Sequence, residues 1–92
     1  MIRSYRSRDA AELYTGLVVS KRLRAIAKQT LRRIQQLDSA TSLGDLALPG
    51  NRLEKLSKDR IGQHSIRIND QWRLCFRWDN GDAYEVEIAD YH

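Results

Sequence analysis

Apolar positions divide this chain at Pro49-Gly50. Before that dipeptide they recur at helical spacing; after it they alternate. Ala10, Leu13 and Tyr14 predict the inward side of a short helix over Asp9–Thr15, with Gly16 close to its end. Ser20 is suited to cap a second helix. Leu23, Ile26, Ala27, Thr30, Leu31, Ile34 and Leu37 then follow the i, i+3, i+4, i+7 rule and define its buried stripe. The other side carries Lys21, Arg22, Arg24, Lys28, Arg32 and Arg33. Ile2–Tyr5 reads as a short strand.

The second half predicts strands over Gly62–Ile68, Trp72–Trp78 and Ala83–Ala89, with a shorter one at Arg52–Leu56. Register follows from keeping apolar residues on one face. A loop Asn69-Asp70-Gln71 pairs Ile68 with Trp72, Ile66 with Leu74 and His64 with Phe76. A loop Asp79-Asn80-Gly81 pairs Phe76 with Tyr84, Leu74 with Val86 and Trp72 with Ile88. Gly81 then takes a left-handed position. One face collects Ile66, Ile68, Trp72, Leu74, Phe76, Trp78, Tyr84, Val86 and Ile88. His64 falls on it too, as a hydrogen-bonded core histidine. The other face collects Ser65, Arg67, Arg73, Cys75, Arg77, Glu85, Glu87 and, beyond the strand, Tyr91. The expected fold is α+β: two N-terminal helices on one face of a small, mainly antiparallel sheet, with an open polar face behind. The 92 residues suit a single domain, 1–92.

Charge gives that open face a meaning. The net charge is +4, unevenly spread. Residues 1–37 hold nine basic side chains against two acids, and residues 51–78 hold seven against three. A basic body fits a polyanionic partner, above all nucleic acid. Its bland counterpart is a solvated surface, or a surface for an acidic protein. Arg67 and Arg73 face each other across two strands, which repels. Glu87, expected opposite Arg73, relieves part of this, and a bound phosphate would relieve more. No apolar run approaches the ~20 residues needed to span a bilayer. Cys75 is the lone cysteine; with no signal-peptide pattern this points to a cytoplasmic protein.

Candidate chemistry is sparse. Two histidines and one cysteine without ligand spacing predict no metal site and no cofactor. Mid-strand Cys75 reads as a structural thiol. What remains is the ending Asp90, Tyr91 and His92 at the rim of the basic face. Cleavage of RNA by its own 2′-hydroxyl needs a base, a cation for the phosphorane and an acid for the leaving oxygen. His92 suits either proton role, Arg73 suits the charge, and Tyr91 can stack on a base or bond a phosphate. Spacing alone leaves open that these three residues are only a tail.

The stretch "PGNRLEKLSKDRIGQHSIRINDQWRLCFRW" and the following "GDAYEVEIADYH" resemble the plasmid-maintenance killer proteins, the HigB-like branch of the RelE/ParE toxin superfamily. The similarity spans essentially the whole chain. Its most specific parts are Ser65-Ile66-Arg67, Asn69-Asp70-Gln71-Trp72-Arg73 and Asp90-Tyr91-His92. The resemblance implies a RelE-like fold and a metal-independent ribonuclease that cuts mRNA in the ribosomal A site. It implies a helix-turn-helix, HigA-like antitoxin as partner, with operator DNA bound through that complex and no membrane contact. Arg73 matches the family's phosphate-contacting arginine, and Asp90, Tyr91 and His92 match its C-terminal active-site residues. Some relatives carry histidine where this chain has Glu54, and lysine where it has Ser57. Glu54 is therefore an auxiliary candidate. Lys55, Lys58, Arg60, Arg67 and Arg77 are candidates for RNA or ribosome contact; Lys28, Arg32 and Arg33 are candidates for antitoxin docking. Two rivals stay open: non-enzymatic inhibition of DNA gyrase, and inhibition of ribosome assembly or translation without cutting.

Overall fold

The computed structural model describes residues 1–15 and 21–91. Gly16, Ser20 and His92, each given a role above, lie outside the described residues. The first helix, α1, spans Arg8–Thr15 and buries Ala10 and Leu13. Tyr14 is not inward: it is exposed, and its hydroxyl donates to Asp38 Oδ2 at 2.6 Å. The phenol's polar tip needs a partner, and the core offers none. Asp38 also accepts the Ile2 N–H at 2.8 Å. The Tyr14 hydroxyl, followed by that N–H, holds the Asp38 carboxyl below its ordinary pKa. One carboxylate thus ties the N-terminal segment, α1 and the next helix together.

The second helical stretch starts as a 3₁₀ turn, Lys21–Ile26, and continues as α2, Ala27–Ser39. With three residues per turn, Leu23 and Ile26 lie above one another, and both are buried. Thr30, Ile34 and Leu37 carry the stripe onward. Buried Thr30 returns its hydroxyl to the Ile26 carbonyl at 2.8 Å.

Four antiparallel strands follow in spatial order: β1 Glu54–Lys55, β2 Gln63–Arg67, β3 Trp72–Asp79 and β4 Asp82–Asp90. The first hairpin has the expected register, Ile66 opposite Leu74 and His64 opposite Phe76. Asn69 Oδ1 closes its turn by accepting the N–H groups of Gln71 and Trp72 at 2.9 and 2.8 Å.

The second hairpin departs from expectation. Asp79 pairs with Asp82 around a two-residue turn, Asn80-Gly81, whose φ angles are both positive, at 50° and 84°. Asn-Gly favours that turn over a three-residue loop. The shortened turn shifts the register by one, and a β-bulge shifts it by one more, which restores the expected facing but leaves the pairing two residues from expectation. Cys75 pairs with Glu87 and Arg77 with Tyr84, so Glu85 and Val86 share the span opposite Phe76. Glu85 takes the left-handed conformation, φ 52°. Tyr84 therefore lies opposite Arg77 on the polar face, and Ala83 replaces it in the core. Leu74 meets Ile88 rather than Val86, and Trp72 meets Asp90 rather than Ile88.

Residues 2–5 run beside β4 but make only isolated parallel bridges, Ile2 to Ala83 and Tyr5 to Val86. The bulge lies between them and interrupts any continuous ladder. Ser4 Oγ compensates by accepting the Glu85 N–H at 2.9 Å. The core lies between the helices and the inner sheet face, with Phe76, Ile34, Leu37, Leu46, Ile66, Leu74 and Val86 fully buried.

Candidate active site

The polar face of the sheet is built in rows across the strands. One row is Arg67, Arg73 and Ala89; the next is Glu54, Ser65, Cys75 and Glu87. Arg67 and Arg73 do face each other, as expected. Glu87 does not relieve them, because the bulge sets it opposite Cys75. Instead the two guanidinium groups diverge. Arg67 Nη2 pairs with Asp70, exposed in the hairpin turn, at 2.5 Å. Arg73 turns down into the sheet face and is only 9% exposed. Its Nε donates to Ser65 Oγ at 2.7 Å, and its Nη2 donates to the Ser65 carbonyl at 3.3 Å and to the Arg52 carbonyl.

Those partners are all neutral. Among the described residues no carboxylate pairs with Arg73. A buried charge without a counter-ion is costly unless hydrogen-bonded, and it attracts any anion that reaches it.

Two open depressions flank Tyr91. One, of about 390 Å³, is lined by Arg52, Glu54, Arg67, Asn69, Asp70, Arg73 and Tyr91. The other, of about 370 Å³, is lined by residues 56–60 together with Asp90 and Tyr91. Tyr91 is the divide between them, held by its N–H to the Gln71 carbonyl at 2.5 Å. Tyr91 is 37% exposed, enough to present a stacking surface. Burial of the hydroxyl end raises the phenol pKa, so at neutral pH Tyr91 is a neutral donor. Cys75 lies beneath it, Sγ 3.9 Å from the hydroxyl, fully buried. Burial pushes this thiol up as well, consistent with a structural role. Asp90 is exposed at the rim, and its Oδ2 accepts from Gln71 Nε2 at 3.2 Å.

The other candidates separate by position. Glu54, Arg67, Lys58 and Arg60 line the depressions. Arg60 is also tied to Glu87, which raises its pKa, and to Gln63 Oε1 at 3.1 Å. Lys55 pairs with His64, on the helix side of the sheet. Arg77 lines neither depression; its Nε pairs with Glu85 at 2.5 Å, and it lies over Gly62. A Cβ at Gly62 would come within 2.6 Å of Arg77 Nη1. Lys28 and Arg32 are exposed on α2. Arg33 is half-buried and donates its Nε to the Arg67 carbonyl at 2.8 Å, bracing β2 from behind. His64 is not the hydrogen-bonded histidine expected. It stacks on Phe76, ring centroids 6.2 Å apart, while its Nδ1 is buried without a hydrogen-bond partner. Burial, then Lys55, lowers its pKa and keeps it neutral. Among the described residues no group of three His, Cys, Asp or Glu side chains is placed to hold a metal, and no helix is long and apolar enough to cross a membrane.

Sequence reasoning missed Arg52 and Ser65. Ser65 had a usable signal, since it lies on the same face as Arg73 at the neighbouring position of the next strand. Arg52 had none, because its backbone carbonyl does the holding.

Residues 12–92 match the family model described as the RelE-like toxin of the type II toxin–antitoxin system HigB. The chain belongs to the HigB-like toxin family. Endoribonuclease HigB of Proteus vulgaris is 34% identical over 92 residues, the full length of both chains. Toxin HigB-1 of Vibrio cholerae serotype O1 is 42% identical over 65 residues, 70% of this chain and 68% of that one. The same fold occurs in Staphylococcus aureus YoeB. The YoeB dimer superposes with a TM-score of 0.60 at 23% identity, covering 99% of this chain and 97% of that one. A YoeB chain from the heterotetrameric YoeB–YefM toxin–antitoxin complex gives 0.61 at 23% identity, covering 100% and 98%. Membership in the HigB-like family makes this chain a toxin whose partner is an antitoxin.

Proposed function

We propose that this HigB-like toxin is a ribosome-dependent endoribonuclease that cuts mRNA in the A-site codon by attack of a 2′-oxygen on the adjacent phosphate. The observation that carries this reading is Arg73, buried at the base of the groove and held, among the described residues, by neutral oxygens. Such a group meets charge that develops on a phosphorane without being neutralised beforehand. In the proposed step the 2′-oxygen gives up its proton and bonds to phosphorus, and the P–O5′ bond breaks. A 2′,3′-cyclic phosphate is left on one fragment, and the departing 5′-oxygen takes up a proton. Asp90 and His92 share these two transfers, with base and acid not assigned between them, and Glu54 is an auxiliary base across the groove. Tyr91 positions the RNA by stacking, and Lys58, Arg60 and Arg67 contact phosphates. The name of the Proteus vulgaris relative supports the activity class.

Toeprinting and message-end sequencing in a translation extract test the reading. Ends within A-site codons are expected, and His92→Ala should remove them. An intact message with trapped gyrase–DNA complexes would establish the gyrase reading instead. Growth arrest undiminished by His92→Ala would favour binding without cutting.

The antitoxin, proposed to be HigA-like with a helix-turn-helix domain, is assigned to the exposed cations of α2. Reversing Lys28 and Arg32 to glutamate should weaken the toxin–antitoxin complex about tenfold or more at low salt, with a smaller effect at high salt. Calorimetry that returned equal affinities for both proteins would remove this docking face.

A further inference from the structure

Asn51 is among the most deeply buried polar residues described, at 1% exposure, and nothing above gives it a role. Its Nδ2 donates to Gln36 Oε1 on α2 at 3.0 Å and to the Leu46 carbonyl at 3.1 Å. Its own N–H donates to the Leu48 carbonyl at 3.0 Å, and its carbonyl accepts the Arg67 N–H at 2.5 Å. Asn51 therefore fastens one point of the long loop to both α2 and β2. The next residue, Arg52, has φ 46°, a left-handed conformation unfavourable for a side chain of this kind. Such strain persists only where the surroundings enforce it. Here it accompanies an Arg52 carbonyl that accepts from Arg73 Nη2.

Ser65 supplies the rest of the seat. It is fully buried, and both its hydroxyl and its carbonyl accept from Arg73. A guanidinium has five N–H donors. The Nε–H and the two on Nη2 are taken; among the described residues the Nη1 pair has no protein partner, and Arg73 lines the depression beside Tyr91. A carboxylate in the place of Ser65 would also hold Arg73, but it would cancel the charge. Neutral acceptors fix direction and leave the charge intact.

We infer that Ser65, together with Asn51 acting through the Arg52 carbonyl, is a positioning device that aims the Nη1 edge of Arg73 at the scissile phosphate. Neither residue touches the RNA. The catalytic consequence rests on the nuclease reading; the effect on Arg73 itself does not.

The full chain labelled with ¹⁵N-arginine provides the test. The Arg73 Nε–H of the wild type should exchange slowly with solvent. Ser65→Ala should speed that exchange about tenfold or more, because the hydrogen bond that shields it is gone, and Ser65→Thr, which keeps the hydroxyl, should restore protection. Asn51→Ala should loosen Arg73 in the same way. Arg52→Gly keeps the carbonyl and accepts a positive φ, so it should leave the Arg73 exchange slow; it decides the matter where Asn51→Ala fails to fold. In cleavage assays Ser65→Ala should lower kcat about tenfold or more with KM within about twofold, the mark of lost alignment, and Ser65→Thr should recover it. A merely structural serine would not divide kcat from KM in this way. Unchanged Arg73 exchange in Ser65→Ala overturns the inference, as does fast exchange in Arg52→Gly. A wild type that leaves message intact while Ser65→Ala still frees Arg73 defeats the nuclease reading and supports the positioning. A wild type that cuts while Arg73 is unmoved by Ser65→Ala does the reverse.

Discussion

Arg73→Ala is expected to slow message cleavage by about 10²–10³-fold, the usual cost of removing one preorganised donor from a transition-state site. Of the other cations lining the depressions, Arg67 is committed to Asp70 and Arg60 to Glu87, while Arg52 and Lys58 are exposed rather than fixed in the sheet face. Of Arg60, Arg67 and Arg73, the last is the one whose partners among the described residues are all neutral oxygens. Arg73→Lys should recover little. An ammonium on a flexible stem cannot reach Ser65 Oγ and the Arg52 carbonyl while still presenting a donor pair to the groove. The alanine variant leaves a buried hydroxyl and two carbonyls with one partner fewer, so its folding must be checked by circular dichroism before rates are compared. Single-turnover cleavage of ribosome-bound message is the measurement. A folded Arg73→Ala protein that cuts within twofold of wild type would remove Arg73 from the mechanism.

Phe76→Ala is expected to destabilise the fold by about 3–5 kcal/mol, near the upper end for a core truncation. Phe76 is fully buried in the middle of β3. It stacks against His64 and meets Trp78 edge-on, with centroids 6.3 Å apart in the second pair. Opposite it, β4 contributes two residues at the bulge, a kinked and bridged backbone with little freedom to collapse into a void. A cavity there stays open, which is the costly case. Domains of this size are stable by only about 5–15 kcal/mol, so the variant should be largely unfolded in mild urea where the wild type is not. Urea titration followed by tryptophan fluorescence measures this. A loss below about 1 kcal/mol would show that the site repacks and that the bulge is softer than its hydrogen bonds indicate.

The sequence made the layer order, both helices and the first hairpin legible, because each rests on apolar period or on a turn side chain such as Asn69. It also placed Arg67, Arg73 and Tyr91 on one polar face. The second hairpin failed for a specific reason. Alternation of apolar residues fixes a face but not the turn length, and a one-residue turn difference followed by a one-residue bulge adds to two, which leaves Val86 and Ile88 inward either way. Tyr84, Ala83 and the changed partners of Trp72, Arg73 and Leu74 reveal the difference. Glu85 and Arg52 adopt left-handed backbone that their side chains do not advertise, so neither the bulge nor the seat under Arg73 was readable. Residue chemistry singled out Asp90 and Tyr91 and the resemblance gave them active-site roles; in the structure Tyr91 divides the two depressions and Asp90 lines one of them.

Residues 2 and 5 are bridged to residues 83 and 86. These bridges join segments far apart in sequence, and the row that holds Arg73 is closed by Ala89 on the same strand. Contacts so distant in sequence form late and slowly. The polar groove is therefore among the last features of the fold to be finished, and a substitution that loosens residues 2–5 should delay its completion as well as weaken the fold.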